Sequence, residues 1–429
     1  MTKHASPSSV SWCGTPLTFV LAGFTWLALS FVLGMGLLIG LVDGTPLPQW
    51  LKPLHVHGAL VGGILQLAIG SLLLWIVRVS ERHDGYAQTH PALFLTLNGG
   101  TAALLLGFWL GSMTAVGLAG LLLSALVLSI SKTAWTLFGK AADAGGMYRV
   151  AQVALLCGLA AGVAMAFRLT GSYSAHARLT HIHLIVLGFA TLSCLVAVHQ
   201  LMPLLTGTPV SLGPVRRFAL WLLPVGFAVL LAAFLASALW LQIAAGCLLL
   251  VSIGLCSDHL AARWFKGDRQ GTAATDHLLT GVFFLVLVTA AGVGMAANYL
   301  SNPPLLPIGS LHLMAYTHLA FIGFMTQVVC GGVSFVVPEV LARTRVPNTA
   351  KREVYRATLD AIMNRWRAFQ LIGMSLGTMA LCVLASLTWN LPLSSSYVQG
   401  TVWIATGLMV SSLTLFAAKL AWVVGLRPS

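Results

Sequence analysis

Charge is almost absent from the long stretches that make up this chain. Of its 429 residues 58% are hydrophobic and 8% charged, and the mean hydropathy is +0.90. Twelve apolar runs reach the length of about 18 residues that lets a helix cross a bilayer. They cover roughly 17–42, 55–79, 92–112, 113–131, 148–168, 181–205, 217–237, 238–257, 277–298, 310–338, 366–391 and 399–425. Inside hydrocarbon every backbone N–H and C=O must find its partner within the segment, so runs of this kind can only be helices. The expected fold is therefore all-α: a polytopic membrane protein of about twelve transmembrane helices, forming one membrane domain over residues 1–429. The run starting near residue 17 is too long for a signal peptide and reads as an uncleaved anchor.

The net charge of +13 does not point to nucleic acid, because the basic residues are sorted along the chain. With the N-terminus placed in the cytoplasm, twenty of the 23 Lys and Arg fall in cytoplasmic segments; only Lys52, Arg168 and Arg178 fall outside. That asymmetry orients a membrane protein and puts both termini inside. The expected location is a bacterial-type inner (cytoplasmic) membrane, with the basic 339–367 loop acting on topology at an anionic leaflet. The partners implied are membrane lipid and no nucleic acid.

Against this apolar background three stretches share one pattern: His55-Val-His57-Gly-Ala-Leu-Val-Gly62, His181-Ile-His183-Leu-Ile-Val-Leu-Gly188 and Tyr316-Thr-His318-Leu-Ala-Phe-Ile-Gly323. The register extends further: Gln327 follows His318 as Gln66 follows His57, and Pro338 follows His318 as Pro203 follows His183. The motifs open the second, sixth and tenth runs, which divides the chain into sub-repeats of about 1–145, 146–270 and 271–429. Three four-helix repeats around a pseudo-threefold axis would place all five histidines near the outer face around a shared interior.

Ionisable groups in a span are costly and mark function by default. A single histidine often only hydrogen-bonds a neighbouring helix, but five in register at one depth read better as ligands. Residues two apart on a helix point about 200° apart at ~100° per residue, so His55 and His57 face two different neighbours, as do His181 and His183. Tyr316 takes the first motif position in the third stretch, either as an interfacial aromatic or as part of a site. Gly58, Gly62, Gly188 and Gly323 leave room for a flat macrocycle or for a neighbouring helix.

Imidazole suits haem iron, copper and zinc. Structural zinc wants four ligands, often with thiolate, which these positions do not offer. Haem iron needs one or two axial imidazoles and an apolar slot, so haem b, one or two per chain, is the leading cofactor; copper follows where three imidazoles converge. Metal ligation is assigned to His57, His318, His181 and His183, with His55 and Tyr316 also in the site. Arg168, Arg178 and His176, in the segment entering the sixth run, are placed to neutralise haem propionates. His4, His83, His90, His199, His259 and His277 lie near or outside the interfaces, where histidine is tolerated. His312 points away from His318 but at the outer surface. All ten Asp and Glu fall in loops or at span ends, so the sequence offers no acid-based proton channel through mid-membrane.

Twelve spans with histidines at the outer ends of the second, sixth and tenth resemble the haem–copper oxidase subunit I superfamily. His181-Ile-His183-Leu, Gly188 and Met202-Pro203, with His318-Leu, Gly323 and Val337-Pro338, are most similar to divergent members near the cbb-type oxidase and nitric oxide reductase branch. His55-Val-His57 is similar to the NnrS family of haem- and copper-containing membrane proteins linked to nitric oxide stress. The superfamily resemblance implies a membrane oxidoreductase with a low-spin haem between spans 2 and 10, held by His57 or His55 with His318. It also implies a copper ligand from span 6, His181 or His183. Two departures stand out. Residues 217–245 contain no histidine for a copper centre, and Tyr316 occupies the position of a high-spin haem ligand. The function implied is electron transfer with oxygen or nitric oxide chemistry, fed by quinol or an electron-donor protein and assembled with other membrane subunits. A haem or copper carrier, or an NnrS-type protein without oxidase activity, is the alternative.

Overall fold

The structure, a computed structural model, describes residues 13–79, 90–138, 144–207, 214–266 and 271–428. Lys3, His4, Arg82, His83, Lys140 and Arg269 lie outside the described residues. Among the described residues twelve helices are long and apolar enough to cross a membrane: span 1 Pro16–Val42, span 2 Leu51–Leu74, span 3 Pro91–Trp109, span 4 Met113–Lys132, span 5 Gly146–Ala166, span 6 Gly171–Thr206, span 7 Arg217–Leu235, span 8 Leu239–Ala262, span 9 Ala273–Asn298, span 10 Ser310–Arg345, span 11 Arg367–Leu387 and span 12 Ser396–Gly425. Every regular element among the described residues is a helix, and the chain is multi-pass. Large apolar side chains stay exposed around the outside of the bundle, among them Leu95, Leu118, Phe218, Trp240 and Trp403, as a hydrocarbon solvent allows.

Spans 2, 6 and 10 are the most enclosed, with 56%, 56% and 61% of their windows buried against 17–44% for the others. Each is flanked by the span before it and the span after it: 1 and 3 around 2, 5 and 7 around 6, 9 and 11 around 10. Spans 4 and 5 pack together, as do 8 and 9, and span 12 returns to span 1, where the Phe24 and Phe416 rings meet at 5.1 Å. The bundle therefore closes on itself with spans 2, 6 and 10 inside.

Each of these three inner spans changes helix type at the same place. Directly after His57, His183 and His318 the backbone widens into a π-helix of eight residues, over Gly58–Leu65, Leu184–Thr191 and Leu319–Thr326. A π-turn inserts a residue and frees carbonyls that an α-helix would pair, a device found mostly at functional sites. Two threonines at matching positions cover such carbonyls five residues back: Thr191 donates to Val186 O (2.9 Å) and Thr326 to Phe321 O (2.8 Å).

The segment read from sequence as a basic 339–367 loop is mostly helical. Span 10 continues to Arg345, and a separate amphipathic helix runs over Thr349–Asn364. Asn348 caps that helix by accepting from Lys351 N, while Tyr355, Leu359, Ile362 and Met363 turn inward and the charged face outward. The apolar spacing 355, 359, 362, 363 is helical, a signal that the run of basic residues masked. Arg345 is spent on structure: its guanidinium donates to Leu426 O, Val424 O and the Tyr355 hydroxyl, tying the chain's last helix to this region.

Candidate functional site

The motif histidines from three different spans come together at one end of the bundle. The His55 and His318 rings lie 6.2 Å apart, centre to centre, and only 9° from parallel. The His57 and His181 rings lie 6.5 Å apart and 21° from parallel. His55 and His57 do face two different neighbours, span 10 and span 6, as their angular separation on the helix requires. His183 turns to span 7 instead, its ring 4.4 Å from that of Phe234.

All five imidazoles are anchored by the same atom. Nδ1 of His55 donates to Ser30 O (2.7 Å) and Nδ1 of His181 to Gly158 O (2.7 Å), in each case a carbonyl of the preceding span. Nδ1 of His57, His183 and His318 donates one turn back along its own helix, to Pro53 O (2.9 Å), Leu179 O (2.8 Å) and Met314 O (2.7 Å). A carbonyl can only accept, so Nδ1 carries the proton and Nε2 keeps its lone pair. Fixing the tautomer through a backbone carbonyl is how proteins orient an imidazole that ligates metal through its other nitrogen.

The seats of the first motif residues are also alike. A Cβ added at Gly34 would sit 2.6 Å from His55 Cε1, one at Gly162 2.9 Å from His181 Cε1, and one at Gly292 2.9 Å from the Tyr316 hydroxyl. Each of these glycines lies in the span before the motif and gives the ring the space a side chain would take. Tyr316 thus occupies the seat that histidine takes in the other two motifs. The motif glycines serve helix packing rather than a macrocycle. A Cβ at Gly62 would meet Trp26 at 2.5 Å, one at Gly188 Phe227 at 2.6 Å, one at Gly323 Phe284 at 2.5 Å, and one at Gly58 the Ser30 hydroxyl at 2.6 Å.

No three His, Cys, Asp or Glu side chains among the described residues converge on a point that would hold a metal ion. The arrangement offers imidazole pairs, not the three-imidazole cluster that would favour copper. Arg168 and Arg178 are exposed at the same end, Arg168 in a left-handed turn (φ 59°) closing span 5. His176 bonds to the Ser237 hydroxyl (3.2 Å), and His312 stacks on Trp389 at 4.9 Å.

At the opposite end the sequence reading missed a buried polar cluster. His277, expected near an interface, is 1% exposed. Its Nδ1 donates to Gln327 Oε1 and its Nε2 accepts from Gln370 Nε2 at 3.1 Å. Lys419, 4% exposed, donates to Met363 O (2.8 Å) and Arg365 O (3.3 Å). The register of Gln327 with Gln66 was the available signal, since a glutamine inside a span needs partners.

No protein-family model matches the chain, and no curated protein does.

Proposed function

We propose that this chain is a haem b-binding integral membrane protein of haem–copper oxidase type, in which His55 with His318 and His57 with His181 each clasp one haem iron. One observation carries the reading: two near-parallel imidazole pairs, each ring tied through Nδ1, at centre spacings of 6.2 and 6.5 Å. With metal–nitrogen bonds of about 2.0 Å, two rings at such a spacing would leave room for one metal ion between them. The donors present are those such an iron would take, imidazole only, with the Phe108 ring 4.6 Å from that of His57.

Bound haem supplies one-electron redox chemistry. The Nδ1 bonds hold each of the four rings in place, so His55, His318, His57 and His181 would hold such a group with their tautomers already set. Because His55 and His57 are two residues apart on one helix, the two centres they serve are neighbours, as electron transfer between them requires. Arg168 and Arg178 supply positive charge at this end for propionates. Three four-helix repeats account for the recurring motif, π-helix and glycine seat. The positive-inside bias puts the histidine end away from the cytoplasm of a bacterial-type inner membrane, with both termini inside. Electrons come from quinol or a separate donor protein, and substrate chemistry on oxygen or nitric oxide takes place where a coordination position is open.

The test is a reduced-minus-oxidised absorption spectrum of the purified protein with iron and copper quantified. Sharp b-type bands with about two bis-imidazole irons per chain are expected. Absence of bands after expression with ample haem would end this reading in favour of a copper carrier, whose metal would be lost on dialysis against a competing chelator.

A further inference from the structure

Several cations at the end opposite the motif histidines are spent inside the protein. Arg343 and Arg356 pair with Glu339, and Arg367 pairs with Asp276 at 3.3 Å. Arg352 donates to Val346 O and Pro347 O, and Lys419 to Met363 O and Arg365 O. Arg365 is different. Its side chain is exposed, and among the described residues no carboxylate lies within ion-pair reach of it. Its guanidinium carbon stands 4.6 Å from the centre of the Trp366 ring and 6.0 Å from that of Trp422.

Both tryptophans are themselves exposed. A guanidinium stacked on an aromatic ring uses its face for the contact and keeps its N–H donors, which lie in its plane, for a bidentate acceptor. The seat is fixed from behind. Lys419 holds the carbonyls of Met363 and Arg365, and Ala273 N donates to Asn364 Oδ1 at 2.6 Å. Trp366 sits in the left-handed region (φ 54°), which bulky residues rarely take, so its surroundings rather than local preference hold its ring beside Arg365. From there an apolar stripe runs into the membrane. Trp366, Phe369, Ile372 and Leu376 are exposed at helical spacing along one face of span 11. Span 12, which carries Trp422, packs alongside at Gly373 and Gly377, where an added Cβ would meet Ser412 and Met409.

We propose that Arg365, with Trp366 and Trp422, binds the phosphate of an anionic phospholipid whose acyl chain lies along Phe369, Ile372 and Leu376. Charge complementarity selects the occupant. A phosphodiester accepts two N–H bonds from one guanidinium, and tryptophan is the aromatic residue of the headgroup level. A choline headgroup is disfavoured, since its ammonium would meet a guanidinium already at the rings. A soluble anion would leave the apolar stripe unused. On the positive-inside orientation proposed above this is the cytoplasmic leaflet. The site needs the spans to lie in a bilayer and does not need haem, so it stands or falls apart from the proposed function.

The experiment is native mass spectrometry of the delipidated full-length protein, titrated in one detergent with phosphatidylglycerol or with phosphatidylcholine of the same acyl chains. Wild type should retain one phosphatidylglycerol severalfold more tightly than phosphatidylcholine. Arg365→Gln should bring the two lipids level without lowering the unfolding temperature, because the hydrogen bonds that residue 365 gives the fold are made by its backbone. Trp422→Leu should weaken phosphatidylglycerol retention by a smaller factor. Lys351→Gln removes the same charge from an exposed position of the neighbouring amphipathic helix and should leave the preference intact. Equal retention of the two lipids by wild type, an unchanged preference in Arg365→Gln, or an equal loss in Lys351→Gln would overturn the proposal. So would release of the bound lipid by inorganic phosphate, which would mark a site for a free anion.

Discussion

His318 and His277 are both histidines inside the bundle, yet they are held in opposite ways. His318, like the four other motif histidines, spends one ring nitrogen on a backbone carbonyl, and its ring lies near-parallel to that of His55. His277 spends both: Nδ1 on Gln327 and Nε2 on Gln370, with Gln327 further bonded to the Ser375 hydroxyl at 3.4 Å. The first arrangement leaves a ring nitrogen unspent, as the proposed haem ligation needs; the second is a closed hydrogen-bond network that joins spans 9, 10 and 11. Burial alone would rank them wrongly, since His277 is the more buried. What separates the two histidines is the unspent lone pair.

The strongest way to break this contrast is at the ligands. His318→Ala should remove the haem between spans 2 and 10 and leave the one between His57 and His181, so the b-type band falls by about half; the double variant with His181→Ala should lose both. Retention of full haem in either would show that the pairs are not axial ligands. His277→Leu should do the reverse. It strands a buried acceptor on Gln327 and a buried donor on Gln370, at about 1–3 kcal/mol each, so thermal unfolding in detergent should move down markedly while haem per chain is unchanged. Haem loss from the folded variant would erase the distinction between the two ends.

A smaller effect sharpens it. Gly34→Ala puts a methyl 2.6 Å from His55 Cε1 and should push that ring off Ser30 O at a strain of about 1–3 kcal/mol. The His55–His318 centre should then change its low-spin electron paramagnetic resonance signal while the His57–His181 centre keeps its own. A change in both signals would mean that the two seats are not independent.

The smallest effect lies in the amphipathic helix at the opposite end. Burial pushes the Asp360 carboxyl up from 3.8 to about 6, with Arg356 opposing and Glu339 adding to the rise. Arg356 bridges the two acids, 2.7 Å from Glu339 and 3.6 Å from Asp360. A carboxyl raised in the folded state binds its proton more tightly there, so stability falls as pH rises from about 4 to about 6 and levels off above. Asp360→Asn should flatten that slope, by tenths of a kcal/mol for so exposed a group. The check is unfolding temperature against pH, in which haem content should not move.

Much of this architecture could be read directly from the chain. Spans 1 to 12 fall close to the apolar runs because hydrocarbon forces the backbone of each run to satisfy itself. The gathering of the motif histidines at one end of the bundle followed from their place at the start of spans 2, 6 and 10, and the separation of about 200° between His55 and His57 required two different partners. The amphipathic helix over Thr349–Asn364 was hidden by its basic residues, and His277 by its place near a span end. The π-helices after His57, His183 and His318 could not be read, because widening the backbone by one residue leaves the composition of an apolar run unchanged.

The sequence by itself determined the number of spans and the register of the three motifs, since each depends on local composition and helical period. Only the tertiary structure decided that His55 meets His318, that His57 meets His181, that Nδ1 is the spent nitrogen in each, and that His183 turns to Phe234. Those facts depend on how helices far apart in the chain rotate and close into a ring. In a bilayer that rotation is set by packing at particular small residues, such as Gly34 under His55 and Gly292 under Tyr316, rather than by any hydrophobic pattern along the chain.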